Sequence, residues 1–123
     1  MTIELLNAQP GHRQMAQVCA STGLTPEQLR GWKKTRTRAR ARQQLFFRLV
    51  VIEGWSLQAA GRQARKHHTT VLYGYRSLAH RCLGTPIRAR REVIVNAWHG
   101  LLVAVEFTRL CWALDVIKME EAA

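Results

Sequence analysis

Acidic side chains are nearly missing from the middle of this 123-residue chain: between Gln28 and Arg91 there is one, Glu53, against sixteen Lys or Arg. A window so unbalanced concentrates polyanions around itself. Because the same window shows the periodicity of folded structure, nucleic acid is favoured over an acidic membrane surface as its partner. Cysteine is scarce too. Cys19, Cys82 and Cys111 are odd in number and far apart, which excludes a disulfide framework and a short-spaced zinc site and fits a reducing cytoplasm. No positively charged start followed by an apolar run is present, so no secretory signal is read. Nowhere does the alternation of a half-buried strand appear. Also missing are a Gly-rich loop followed by Lys-Ser or Lys-Thr, a carboxylate pair, a nucleophile elbow and a Cys-His arrangement with a third group. The reading is therefore of a non-enzyme without cofactor or metal. The one long apolar stretch, Val93 to Leu114, is interrupted by Asn96, His99, Glu106 and Arg109, which are costly in hydrocarbon, and a membrane span is set aside.

What is present is a 47% hydrophobic composition with a net charge of +11, enough for one compact domain with a strongly positive surface. Residues 1 to 11, ending in Pro10-Gly11, read as a loose arm. Met15, Val18 and Cys19 predict a short helix from His12 to Ala20 that stops at Gly23. Thr25-Pro26-Glu27-Gln28 combines a capping hydroxyl, a proline at the first helical position and a glutamine three residues after the cap. A second short helix starts there, with Leu29 and Trp32 on its buried side. Lys33 to Arg42 is too charged to pack and reads as a solvated or phosphate-contacting connector. Leu45, Phe46, Leu49, Val50 and Ile52 mark a core helix from about Ala39 to Glu53, closed by Gly54. Ser56 caps a short helix from Leu57 to about Gln63, with Ala60 and Ala64 inward. A tight connection at Ala64 to Lys66 leads into a helix from His67, with Val71, Leu72, Tyr75 and Leu78 inside and Gly84 at its end. Trp55, Tyr73 and Tyr75 could stack on bases, but a double-stranded reader does not need this and Tyr75 faces inward, so packing is favoured for them. Thr85-Pro86 repeats the cap-then-proline signal and opens a long helix from about Pro86 to Met119. Its apolar side, with Trp98, Leu101, Leu102, Val105 and Trp112, suits the body of the domain or a second copy of the chain.

The helix at Ser56, the tight connection and the helix from His67 have the lengths of a helix-turn-helix, whose second helix reads the major groove with its first residues. The residue types there suit that use. His68 can donate to or accept from base edges, Thr69 offers a hydroxyl and a methyl that can touch thymine, and Thr70 can hold a phosphate. As a metal pair, adjacent His67 and His68 would point about 100° apart with no third ligand nearby, so groove contact is favoured.

Arg40-Ala41-Arg42-Gln43, Ser56-Leu57, Gly61 and above all His68-Thr69-Thr70-Val71-Leu72 followed by Arg76 resemble the C-terminal duplex-binding domain of the bacterial replication initiator DnaA, over roughly Val18 to Ala79. The resemblance implies an all-α fold of the DnaA C-terminal or Trp-repressor-like helix-turn-helix type. It implies that Arg42 enters the minor groove and that His68 and Thr69 touch bases in the major groove. Lys66 and Thr70 would then lie at the groove or its phosphates. Arg42, Lys66, His67, His68 and Thr69 are accordingly the candidate base contacts, and Arg38, Arg40, Ser56, Arg65, Thr70 and Arg76 the candidate phosphate contacts. The chain departs from the family where His67 replaces an Asp that would accept from cytosine amino groups. The Gly-Gly turn is also missing, and the connection through Ala64-Arg65-Lys66 is a residue shorter. Without a phosphate loop these residues lack the initiator's ATPase.

The expected plan is an arm over 1–11, a helix-turn-helix domain over 12–84 and an added apolar helix over 85–121 that packs on the domain or forms a homodimer. Two functions fit. One is a cytoplasmic, nucleoid-associated, sequence-specific binder of double-stranded DNA that regulates transcription or replication. The other is a non-specific architectural or interaction protein assembled through its C-terminal helix.

Overall fold

A computed structural model describes residues 10–100 of the chain, with side chains from residue 12. The first helix, α1 (Pro10–Thr22), stops where expected. Gly23 takes φ +76° and its N–H donates to the Cys19 carbonyl at 2.9 Å, in a left-handed conformation that carries no Cβ penalty in glycine. Met15 and Val18 are buried. The capping box of α2 (Pro26–Arg30) forms with both its bonds: the Gln28 N–H donates to Thr25 Oγ1 at 3.2 Å and the Thr25 N–H to Gln28 Oε1 at 2.9 Å. Leu29 is fully buried, but Trp32, expected beside it, is 83% exposed. The helix ends at Arg30, and its inward face ends with it.

The basic run is not a connector throughout. Thr35 caps α3 (Arg36–Phe47) by accepting from the Arg38 N–H at 3.3 Å, so the core helix begins one turn before the expected Ala39. A π-helical turn follows over Arg48–Ile52, with the Glu53 N–H donating to the Arg48 carbonyl five residues back at 3.0 Å. The additional residue in that turn shifts the phase of the apolar stripe. Val51 points inward at 5% exposure and Ile52 is 38% exposed, reversing the expected placement of Ile52. Gly54, at φ +76°, closes the segment.

Ser56 caps α4 (Leu57–Ala64) by accepting from the Ala59 N–H at 3.1 Å, and Ala60 and Ala64 are buried. The longest described helix is α5 (His68–Leu83), which buries Val71, Tyr75 and Leu78 and is closed by Gly84 at φ +72°. Thr85-Pro86 does not open the last helix. The Ala89 N–H donates to the Pro86 carbonyl at 2.9 Å to make a turn, and α6 (Arg91–Gly100) starts after it. Ile94 anchors α6 in the core, and Trp98 meets Phe47 edge-on with ring centroids 5.7 Å apart. The remainder of the expected C-terminal helix, the apolar surface from Leu101 to Trp112 and the expected dimer contact lie outside the described residues, as do residues 1–9 of the arm. Among the described residues there is no strand, and no helix is long and apolar enough to cross a membrane.

The centre of the fold is α3, which packs against α1, α2, α4 and α5, while the π turn meets α1 and α6. Its packing against α5 depends on Gly74. A Cβ there would lie 2.7 Å from Cδ2 of Phe46, a ring only 1% exposed. Gly74→Ala is therefore expected to lose about 1–2 kcal/mol, because overpacking outweighs alanine's better helix propensity. A urea midpoint equal to that of the parent chain would show that Phe46 has room to move.

Candidate nucleic-acid interface

The connection between α4 and α5 is made from backbone geometry. Arg65 adopts φ 56° and ψ 45° at the end of α4, and is the described non-glycine residue with positive φ. Lys66 then donates its N–H to the Gly61 carbonyl at 2.8 Å. This turn brings the Lys66 carbonyl over Gly61, where a Cβ would meet that oxygen at 2.4 Å, so only glycine fits. His67 caps α5: its Nδ1 accepts from the Thr69 N–H at 3.3 Å and lies 2.8 Å from the Thr69 hydroxyl. With Nδ1 accepting, the hydroxyl donates to the ring, and Thr69 keeps an oxygen lone pair and its methyl for an outside partner. The His67 and His68 rings lie 4.2 Å apart at 34°.

The first turn of α5 stands out from the body. His67, Thr69 and Thr70 are exposed and His68 is half-buried. Beside them opens a concavity of about 600 Å³ whose cationic lining is Arg62, Arg65 and Lys66, with His67 and His68 at its edge. No Asp or Glu lines it. The structure thus brings Arg65, Lys66, His67 and His68 to one surface, with Thr69 and Thr70 exposed on the same helical turn.

Arg42 and Lys66 are placed differently from the expectation that both reach bases. Arg42 is 6% exposed; its Nε donates to the Leu29 carbonyl at 2.7 Å and its Nη2 to those of Gly31 at 2.7 Å and Gln28 at 3.4 Å. Lys66 Nζ donates to the Gly31 carbonyl at 2.6 Å and to that of Arg30 at 3.2 Å. The physical reason is the end of α2, whose last carbonyls have no intrahelical partners and carry negative partial charge. Two cations from distant parts of the chain satisfy them. Arg30 in turn donates to the Gln63 carbonyl near the end of α4 at 3.0 Å, so α2 is tied to the recognition turn from both sides. Burial pushes the Lys66 ammonium below its ordinary value, and the neighbouring Arg42 and Lys34 push it further. Burial, then the nearby Arg38, lowers Arg42 in the same direction.

Arg76 is also engaged: its Nε donates to the Ala89 carbonyl at 3.0 Å, bracing the turn before α6. Ser56 remains exposed but serves the start of α4, and neither it nor Arg76 lines the concavity. Arg38 and Arg40 are half-buried on the first turns of α3. A second hollow, of about 490 Å³, runs between those turns and α5 and shares Lys66 with the first. Its walls include Trp32, Lys34 and Tyr73, which the sequence reading assigned to packing or left without a site role. Tyr73 is 66% exposed. Its exposure was readable from helical phase, since it lies between the buried Val71 and Tyr75; Trp32 depends on where α2 stops.

The model of the family described as the bacterial DnaA protein helix-turn-helix matches residues 15–78, just over half of the chain. The matched span runs from Met15 in α1 to Leu78 in α5 and includes the whole turn. No curated protein or solved structure was found to match the chain.

Proposed function

The chain belongs to the DnaA helix-turn-helix family, which implies binding to double-stranded DNA, and on that premise we propose that it reads a duplex by sequence through the first turn of α5. The observation that carries this reading is the His67 to Thr70 turn, exposed except for the half-buried His68 and set beside a cationic, acid-free concavity at the start of a sixteen-residue helix anchored in the core. Such a helix enters the major groove N-terminus first. His68 and Thr69 face base edges, with His67 in the place of an acidic reader. Arg65 and Thr70 hold the flanking phosphates, joined by Arg38 and Arg40 from α3. Arg42 and Lys66 act as positioning residues that fix α2 against the turn. Withdrawing Arg42 for the minor groove would leave the buried Leu29 carbonyl without this donor, at about 1–3 kcal/mol. The exposed Arg36, at the solvated start of α3, is the better candidate for that groove.

The role that follows is a regulator of transcription or replication in the cytoplasm, bound to the chromosome. Selection of bound duplexes from a random pool tests it. A consensus is expected, with a preference over random duplex of about a thousandfold or more. Enrichment of no sequence would instead favour the non-specific architectural reading. The same consensus reads out self-association: an inverted repeat with half-sites about 34 Å apart is expected if the C-terminal residues pair two chains.

Two substitutions divide the work. Thr69→Ala is expected to relax preference at one base position by about 1–3 kcal/mol while leaving affinity for random duplex nearly unchanged. Arg65→Gly is expected to raise stability by about 1 kcal/mol by relieving the left-handed backbone, and yet to weaken every duplex and lower the salt slope by about one. Opposite signs in melting temperature and affinity distinguish a phosphate contact from a structural one. If Arg65→Gly bound random duplex as tightly as the parent chain, the phosphate assignment would be lost.

A further inference from the structure

The hollow between α3 and α5 has a chemistry that the duplex reading does not use. Its two large aromatic walls are among the most exposed apolar side chains described, Trp32 at 83% and Tyr73 at 66%. Phe46 and Gly74 form part of its floor, and Lys34, Lys66, Thr70 and Ser77 supply ammonium and hydroxyl groups. Two cations, Arg42 and Lys34, are close enough to depress the Lys66 ammonium together with burial, and no carboxylate lines the hollow. Exposed aromatic faces have a cost in water, and the ammonium of the exposed Lys34 stands beside them. One ligand class suits both, namely a flat π-system carrying a phosphate.

We propose that this hollow holds an unpaired nucleotide of a DNA strand, its base stacked against Trp32 and Tyr73 and its phosphate near Lys34. The proposal rests on the duplex reading of α5 and extends it. Thr70 stands in the turn assigned to the major groove and also lines the hollow, with Tyr73 and Ser77 following along the same face of α5. A strand leaving the recognition turn therefore runs into the hollow. A paired base cannot stack there because both its faces are covered by neighbouring pairs, so the preferred substrate is a junction between duplex and single strand. A volume of about 490 Å³ falls within the range of sites that hold small organic ligands. A peptide partner fits less well, because an acidic peptide would leave the two aromatic faces unstacked and an apolar one would cover the Lys34 ammonium.

The test compares the full chain on three DNA probes: a blunt duplex of the selected sequence, the same duplex with a single-stranded extension of about six nucleotides, and that extension with abasic residues. The extension is expected to tighten binding at least about fivefold, the smaller end of what one stacked base contributes, and the abasic version to lose the gain. Trp32→Ala should lose the gain and keep blunt-duplex affinity, while Trp32→Phe should keep both but lose the quenching of tryptophan emission on adding the extension. Trp32 is so exposed that neither change threatens the fold. A gain that is absent, that survives removal of the bases or that survives Trp32→Ala would overturn the proposal. So would displacement of the extension by free deoxynucleotides at similar concentration, which would assign the hollow to a small ligand. Failure to bind the blunt duplex would instead remove the duplex reading. The hollow would then be judged with a single-stranded oligonucleotide alone, where Trp32-dependent binding upholds it and indifference to Trp32 overturns it.

Discussion

Gly61→Ala is expected to lower stability by about 3 kcal/mol and, with it, to abolish tight duplex binding. The added methyl would sit 2.4 Å from the Lys66 carbonyl oxygen, an atom that cannot swing away as a side-chain tip can. Relief requires the turn to open. Opening breaks the 2.8 Å bond from the Lys66 N–H to the Gly61 carbonyl and moves His67 off the start of α5, so the reading turn loses its aim. Alanine's better helix propensity returns only about 1 kcal/mol, and the clash prevails. For a domain of this size the loss corresponds to a fall in melting temperature on the order of 10 °C. Gly23→Ala is the control, since nothing lies within 4 Å of its Cβ and only the φ of +76° penalises it, by about 1 kcal/mol. If both variants melted together, the packing of the recognition turn would have to be redrawn.

The second large effect concerns Arg42. Arg42→Met should cost about 2–3 kcal/mol, because the buried Leu29 carbonyl loses its charged donor at 2.7 Å and Gly31 loses one of its two, keeping only Lys66. Arg42→Lys should recover little, since one ammonium cannot reproduce the spread of a guanidinium across separate acceptors. At temperatures where both variants are folded, the salt dependence of duplex binding should match that of the parent chain. A slope smaller by about one with stability unchanged would return Arg42 to the DNA and refute its place at the end of α2.

Gly61 and Arg42 differ in how far their reasons lie along the chain. Gly61 was visible in the sequence as part of the motif resembling the DnaA family, and the structure supplies the reason for it in the Lys66 carbonyl. Arg42 was visible as a member of a basic run, and from the run alone every member looks equally available to a phosphate. Its actual partners lie 11 to 14 residues away, on a helix whose end had to be located before its empty carbonyls could be counted. Arg76 and Lys66 likewise have partners 13 and 35 or 36 residues distant, which no local pattern shows. Trp32 and Ile52 were misplaced by smaller geometric facts, the stop of α2 at Arg30 and the π turn that shifts the phase of α3.

From the sequence alone came the all-α class, the caps at Thr25 and Ser56, the stops at Gly23, Gly54 and Gly84, the family, and the His68-Thr69-Thr70 turn. Each of these is written in contacts between residues a few positions apart. Which basic side chains remain free for a ligand was decided only by the tertiary structure. A guanidinium or ammonium binds whatever acceptor the fold brings nearest, and here the nearest acceptors are helix-end carbonyls contributed by other parts of the chain.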